Sequence, residues 1–229
     1  MREIVLDTET TGLDPLQGHR LIEVGCVELV NRFPSGRFFH RYLNPEREVP
    51  AEAHAIHGLT NDFLRDKPYF SEIADELIAF IGDATLVAHN ALFDLGFLNA
   101  ELDRCAKAPI MRDRLVDTLM LARRRHPAGP NSLDHLCARY GIDNAHRSKH
   151  GALLDAELLA EVYVELVGGR QASLILVDSG RAPANAGSGG AIVLPRPAPL
   201  VPRLTDGERE AHAQFIERLG AKAIWLDYR

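Results

Sequence analysis

Arg2-Glu3-Ile4-Val5-Leu6-Asp7-Thr8-Glu9-Thr10-Thr11-Gly12 decides how the rest of this chain is read. Glu3 to Asp7 is a short, mainly apolar run of the kind that forms a buried strand, and Thr10-Thr11-Gly12 turns the chain after it. Successive side chains on a strand point to opposite faces, so Asp7 and Glu9 share a face. Two carboxylates on one face at a strand's end can serve one cation. Spacing alone does not single out this pair, because Asp-x-Glu recurs at Asp155-Ala156-Glu157 and Asp206-Gly207-Glu208. The apolar strand before it and the turn after it set it apart.

Working outward, Leu21 to Val30 is β-rich with partial alternation. Arg37 to Leu43 follows a Pro34-Ser35-Gly36 turn, so the two segments predict a hairpin. Residues 44–60 read as loop, ending in His54-Ala55-Ile56-His57-Gly58-Leu59-Thr60. Ser71 is placed to cap a helix with Ile73, Leu77, Ile78 and Ile81 on one face. Thr85 to Ala88 is a short apolar strand that runs through His89-Asn90 into a helix bearing Leu92, Phe93, Leu95, Leu98 and Leu102. Arg114 to Val116 reads as another strand. Asp117 caps Leu119 to Arg125, Ser132 caps Leu133 to Tyr140, and Leu153 to Leu166 is a helix stopped by Gly168-Gly169. A meander of three strands followed by alternating strand and helix predicts a mixed α/β sheet with helices on its faces.

Three more residues join the first pair. Asp94 falls one turn into the helix after His89-Asn90, at the strand-to-helix junction where α/β sheets place ligands. An acid in a first helical turn is also explained by the helix dipole. His150 and Asp155 are spaced H-x-x-x-x-D, a spacing shared by His57 with Asp62 and by His89 with Asp94. The context is better than the spacing: His150 lies in a polar loop and Asp155 on the helix that follows. A histidine with its ordinary pKa near 6.5 suits a general base at neutral pH. Four carboxylates and one histidine offer hard oxygen donors for Mg²⁺ or Mn²⁺ and a base beside them, a set suited to cleaving phosphodiesters. Arg123-Arg124-Arg125 is most simply the charged C-terminal end of a helix.

The 229 residues carry a net charge of −6, so no global basic field announces nucleic acid. Carboxylates that bind cations would account for part of that charge. Cys26, Cys105 and Cys137 are scattered with no Cys-x-x-Cys pair, which argues against structural zinc and disulfides and for a reducing compartment. No stretch approaches a membrane span, and a strand so near the start leaves no room for a signal peptide, so a cytoplasmic, soluble protein is expected.

After Gly169 the character changes. Residues 178–203 are rich in Gly, Pro and Ala and read as a linker. Thr205-x-x-Glu208 is a capping box, Ala211, Phe215 and Leu219 recur at helical spacing, and Ala223-Ile224-Trp225-Leu226 holds the chain's one tryptophan. So short a helix is marginal alone in water, so residues 204–229 read as a segment that folds on a partner.

Taken in order, Ile4-Val5-Leu6-Asp7-Thr8-Glu9-Thr10-Thr11-Gly12-Leu13, His89-Asn90-Ala91-Leu92-Phe93-Asp94 and His150-Gly151-Ala152-Leu153-Leu154-Asp155-Ala156 resemble the DEDD superfamily of 3′–5′ exonucleases, in the branch whose base is a histidine. Asp117-Thr118-Leu119 and Ser132-Leu133-Asp134 look like recurring segments of that family. Gln171-Ala172-Ser173-Leu174-Ile175-Leu176 looks like a peptide that docks on the bacterial sliding clamp. With the tail and Ile56-His57-Gly58-Leu59-Thr60, the resemblance narrows to the proofreading subunits of bacterial replicative polymerases.

The resemblance implies an RNase H-like mixed sheet, a three-stranded antiparallel meander plus parallel strands, flanked by helices. It implies an exonuclease domain over 1–169, a clamp-binding peptide over 170–177 (Gln171, Ser173, Leu174, Leu176), a linker over 178–203 and a polymerase-binding segment over 204–229 (Phe215, Leu219, Trp225). It implies two Mg²⁺ or Mn²⁺ held by Asp7, Glu9, Asp94 and Asp155, with His150 as the base. Thr10, Glu52, His57, Asn90 and Phe93 would neighbour the terminal nucleotides of a single-stranded or frayed DNA 3′ end. The partners it implies are the polymerase's catalytic (alpha) subunit, the clamp and a small theta-like accessory subunit, with no membrane. Two other readings share the sequence: an exoribonuclease of the same superfamily trimming short RNA or tRNA ends, and a non-catalytic scaffold bridging clamp and polymerase.

Overall fold

The computed structural model describes residues 1–145, 149–168 and 204–219. The chain divides into two units, Met1–Ile175 and Leu176–Arg229.

The first unit is built on five strands: β1 (Arg2–Thr10), β2 (Leu21–Val30), β3 (Phe33–Tyr42), β4 (Thr85–Ala88) and β5 (Leu115–Asp117), in the order β3-β2-β1-β4-β5. β1 pairs antiparallel with β2 and parallel with β4; β2–β3 is antiparallel and β4–β5 parallel. The meander and the parallel half expected from sequence therefore share β1.

The pleat of β1 sorts its side chains into two cores. Ile4 and Leu6 join one core with Phe70, Ile73, Leu77, Phe97, Leu98 and Leu102, which come from α3 (Phe70–Ile81) and α4 (Ala91–Arg104). Val5 faces the other core, built with Leu158, Leu159, Val162 and Leu166 of α7 (Ala152–Leu166) and Leu136 of α6 (Leu133–Tyr140). Covered on both faces, β1 is apolar without alternation over Ile4 to Leu6. Glu3, beside Val5's face, is buried and accepts a 2.6 Å hydrogen bond from the Tyr163 hydroxyl, tying α7 to the strand.

Three local expectations are corrected. The β2–β3 turn is at Asn31-Arg32, both at positive φ (51° and 69°), with Val30 opposite Phe33. A two-residue loop of that kind matches the twist of antiparallel strands. Pro34 to Gly36 instead lie within β3, an edge strand where a proline's missing N–H breaks no ladder bond. The third helix begins at Phe70 rather than after a Ser71 cap; Glu72 reaches back to accept the Tyr69 N–H at 2.7 Å. Residues 44–60, expected as loop, contain α1 (Ala51–His57), with Pro50 before it and Gly58 at φ 76° closing it. α2 (Asn61–Leu64) follows, capped by Thr60. Proline at the start and glycine just past the end were the local signs of α1. As expected, Asp117 caps α5 (Thr118–Arg125) and Ser132 caps α6.

In the second unit the described residues form α8 (Asp206–Leu219), opened by the Thr205–Glu208 capping box, with Phe215 54% and Leu219 51% exposed. Gln171, Ser173, Leu174, Leu176 and Trp225, like the linker over 178–203, lie outside the described residues. No described helix is long and apolar enough to cross a membrane.

Candidate active site

Asp7, Glu9, Asp94, His150 and Asp155 all line one hollow of about 280 Å³ at the C-terminal end of β1, with Thr8, His89, Phe93 and Asp134. Three elements converge to make it. β1 brings Asp7 and Glu9 on the α7 side of the sheet. The β1–β2 register shifts between Glu9 and Thr10, a bulge where the strand leaves the ladder. α7 brings Asp155 in its first turn, where the helix dipole favours a carboxylate. α4, on the opposite layer, brings Asp94.

Thr8 joins the layers. Its side chain points away from those of Asp7 and Glu9, and its hydroxyl donates to Asp94 Oδ1 at 2.7 Å. Asp94 is 3% exposed, and burial pushes its pKa up to about 7; the hydrogen bond from Thr8 opposes that rise without cancelling it. A carboxyl so placed is short of positive charge, and a cation in the hollow would supply it.

On the other side, one ligand atom each from Glu9, His150 and Asp155 lie within 4.8 Å of one another. His150 Nδ1 is 3.2 Å from Asp155 Oδ2, while the His150 side chain is 46% exposed and that of Asp155 4%. With Nδ1–H donating to the carboxylate, the basic lone pair lies on Nε2. Buried carboxylates gathered with one imidazole fit a hard divalent cation, so the hollow is a candidate metal centre.

A larger hollow, about 540 Å³, adjoins it and shares Thr8, Glu9 and Phe93. Thr10, Glu52 and His57 line it, with the turn after β1 and the face of α1. Gly12 belongs to that turn: a Cβ there would lie 2.3 Å from the His19 ring. His57 is 4% exposed; its Nδ1 accepts the Leu59 N–H at 3.0 Å, and its buried Nε2 has no hydrogen-bond partner. Burial, seconded by His54, holds its pKa below the ordinary histidine value. The structure thus leaves the Nε2–H of His57 buried without an acceptor, in a residue that lines the larger hollow.

Asn90 is the exception among the expected neighbours. It is exposed, at φ 67°, lines neither hollow, and gives its backbone N–H to Asp117 Oδ1 at 3.2 Å. Its place is at the junction where β4 turns into α4. There Thr118 Oγ1 also donates to Ala88 O at 3.1 Å and accepts from His89 Nδ1 at 2.9 Å.

Gly25 is a residue the sequence reading passed over. It faces Asp7 in the β1–β2 ladder, and a Cβ on it would lie 2.3 Å from Leu153 N and 2.4 Å from Ala152 C. The first turn of α7 therefore rests on bare backbone at the height of Asp7, which brings Asp155 over the strand. A lone glycine inside a strand pattern was the available sign of such close approach.

Residues 4–163 match a family model described as "Exonuclease". The chain is 47% identical over 222 residues to the DNA polymerase III subunit epsilon of Rickettsia conorii, covering 96% of each. It is 43% identical to the subunit of the same name from Escherichia coli, covering 98% of this chain and 97% of that one. Among solved structures, Exonuclease X in complex with 5′ overhanging duplex DNA is 26% identical, with a TM-score of 0.56, over 73% of this chain and 92% of that one. The nuclease domain of 3′hExo, a DEDDh family member bound to rAMP, shares the fold at 19% identity and a TM-score of 0.63, over 73% of this chain and 92% of that one.

Proposed function

This chain belongs to the exonuclease family, and from that membership we propose that it is the proofreading 3′–5′ exodeoxyribonuclease subunit of a bacterial replicative DNA polymerase. The observation that carries the chemistry is the convergence of Asp7, Glu9, Asp94, His150 and Asp155 on one hollow beside a nucleotide-sized cavity. The near-full-length likeness to polymerase subunits carries the biological assignment.

Asp7, Glu9 and Asp155 would hold one Mg²⁺ or Mn²⁺, and Asp7 with Asp94 a second. Bound there, the cations would neutralise the phosphate and stabilise charge on the attacking and leaving oxygens. The remaining work falls to the chain's own groups. His150 takes a proton from the attacking water, and Asp155 holds its imidazole in the tautomer that can do so. The water oxygen bonds to the terminal phosphorus as the bond to the preceding sugar's 3′ oxygen breaks. That oxygen regains a proton from solvent, and the product is a nucleoside 5′-monophosphate.

The larger hollow would take the terminal nucleotide, with Phe93 offering an apolar face and Thr10, Glu52 and His57 polar ones. Asn90, exposed at the N-cap of α4, is not among the residues that line either hollow. Selection of a mismatch needs no base code here, because a mismatched end frays more readily than a paired one.

Phe215, Leu219 and Trp225 would bind the polymerase's catalytic subunit, and Gln171, Ser173, Leu174 and Leu176 the clamp; a theta-like subunit would complete the complex. Once the tail is bound, the clamp contact becomes intramolecular and gains strength. Replacing Gln171 and Leu174 by alanine should weaken clamp binding and leave nuclease activity intact.

The deciding measurement is release of mononucleotides from matched DNA and RNA oligomers with Mg²⁺, beside an Asp7→Ala, Glu9→Ala control. Faster attack on DNA, from the 3′ end and absent in the control, is expected. Equal or faster attack on RNA would favour RNA trimming instead, and no metal-dependent release would leave a scaffold.

A further inference from the structure

The base His150 is about half exposed, and its ring is held on one side by Asp155. Its backbone is held on another. His150 N–H donates to Ile56 O at 3.4 Å, and the preceding Lys149 Nζ donates to Ala55 O at 2.9 Å. Both carbonyls belong to α1, in its final turn, where intrahelical partners run out and a cation is favoured by the helix dipole. The Lys149 stem lies against Gly58, with Cγ, Cδ and Cε 3.5 to 3.7 Å from where a Cβ would stand. These are ordinary van der Waals distances, so the stem packs beside the helix end, while the φ of 76° is what calls for glycine there. α1 is also the helix whose Glu52, Ala53, Ile56 and His57 form a wall of the larger hollow.

We infer that Lys149 is a positioning residue for this nuclease: its ammonium clasps the C-terminal end of α1 and thereby sets His150 relative to the terminal nucleotide. The inference rests on the reading of His150 as the base. Most exposed lysines contribute little. This one differs because its donor spans from the loop before α7 to a helix far away in sequence, and the adjacent residue is the base. A charge-assisted hydrogen bond to an otherwise unpaired carbonyl is worth roughly a ten-fold effect where its geometry is needed for reaction.

The test is a double-mutant cycle on the full chain with saturating Mg²⁺ and a single-stranded DNA oligomer, using Lys149→Met, Lys149→Arg, His150→Ala and the Lys149→Met, His150→Ala pair. Lys149→Met keeps most of the stem over Gly58 and removes the donor. It is expected to lower kcat roughly ten-fold with KM within about two-fold. Lys149→Arg should recover most of that loss, since a guanidinium can reach the same carbonyl. In the His150→Ala background the lysine substitution should lower kcat no further. An equal loss in both backgrounds, or a raised KM with kcat intact, would show Lys149 acting on the fold or the substrate and overturn the inference. If His150→Ala alone keeps the parent kcat, the reading of the base fails, and this inference with it.

Discussion

Gly25→Ala is the sharpest test of how this site is assembled. The added Cβ would meet Leu153 N at 2.3 Å, Ala152 C at 2.4 Å and Ala152 O at 2.5 Å, all backbone atoms. No rotamer change can relieve such a contact. For the nearest atom to reach about 3.4 Å, the ordinary limit of van der Waals approach, α7 and β2 must part by about 1 Å. The part of α7 that moves is its first turn, which carries Asp155 and follows directly on His150, while Asp7 and Glu9 stay with β1. A displacement of that size in a catalytic constellation costs on the order of 10²-fold in rate. The stability cost is smaller, about 1–3 kcal/mol, as for other overpacked sites. Farther along α7, Leu159, Val162, Leu166 and the Tyr163–Glu3 hydrogen bond remain to hold the helix on the sheet. Gly25→Ala should therefore fold, melt a few degrees lower and lose about 100-fold in kcat at saturating Mg²⁺. Gly96→Ala is the control, because nothing lies within 4 Å of a Cβ there and the residue is inside α4; it should stabilise by about 0.5–1 kcal/mol and leave kcat alone. A Gly25→Ala enzyme with near-parent kcat and an intact fold would refute the claim that this contact sets the site.

Further expectations concern charge and the tail. Asp94 binds its proton more tightly folded (about 7) than at its ordinary 3.8, so between those pH values the folded state holds more protons than the unfolded one. In chelator the protein should accordingly lose stability as pH rises from about 4 to 7. Asp94→Asn should flatten that slope, melting at least ~3 °C higher than the parent at pH 7.5 while losing nuclease activity. Equal melting of the two in chelator would count against the raised pKa. Glu101 is 1% exposed and takes Arg20 Nε and Nη2 at 2.6 and 2.9 Å, which ties the turn beside the larger hollow to α4. Arg20→Leu should cost about 2–3 kcal/mol in urea melts, tempered by Arg104 at 3.2 Å, and raise KM for DNA. Phe215→Asp with Leu219→Asp should abolish co-elution with the polymerase catalytic subunit and leave mononucleotide release unchanged; retained co-elution would remove α8 from that interface.

The legible parts of this protein are those whose causes lie within a few residues. Strand alternation put Asp7 and Glu9 on one face, and the caps at Asp117, Ser132 and Thr205 each depend on a side chain reaching no farther than the next turn. The same locality explains two of the misses. The Asn31-Arg32 turn lacks glycine, so its positive φ values left no mark, while Pro34-Ser35-Gly36 offered a stronger but misleading turn signal. α1 is only seven residues, too short for a periodic apolar stripe to show.

Residue identity and order by themselves determined the mixed sheet, the acids and histidine that form the candidate site, and the family to which they belong. Tertiary structure decided what those groups meet. It set Thr8 on Asp94 across the sheet, seated α7 on Gly25, left His57 Nε2 without a partner and fastened Lys149 to α1. It also kept Asn90, at the N-cap of α4, out of both hollows. The contacts of Thr8, Gly25 and Lys149 join segments distant in the chain, and which segments touch depends on how two helical layers pack on one twisted sheet. No window of sequence contains that packing.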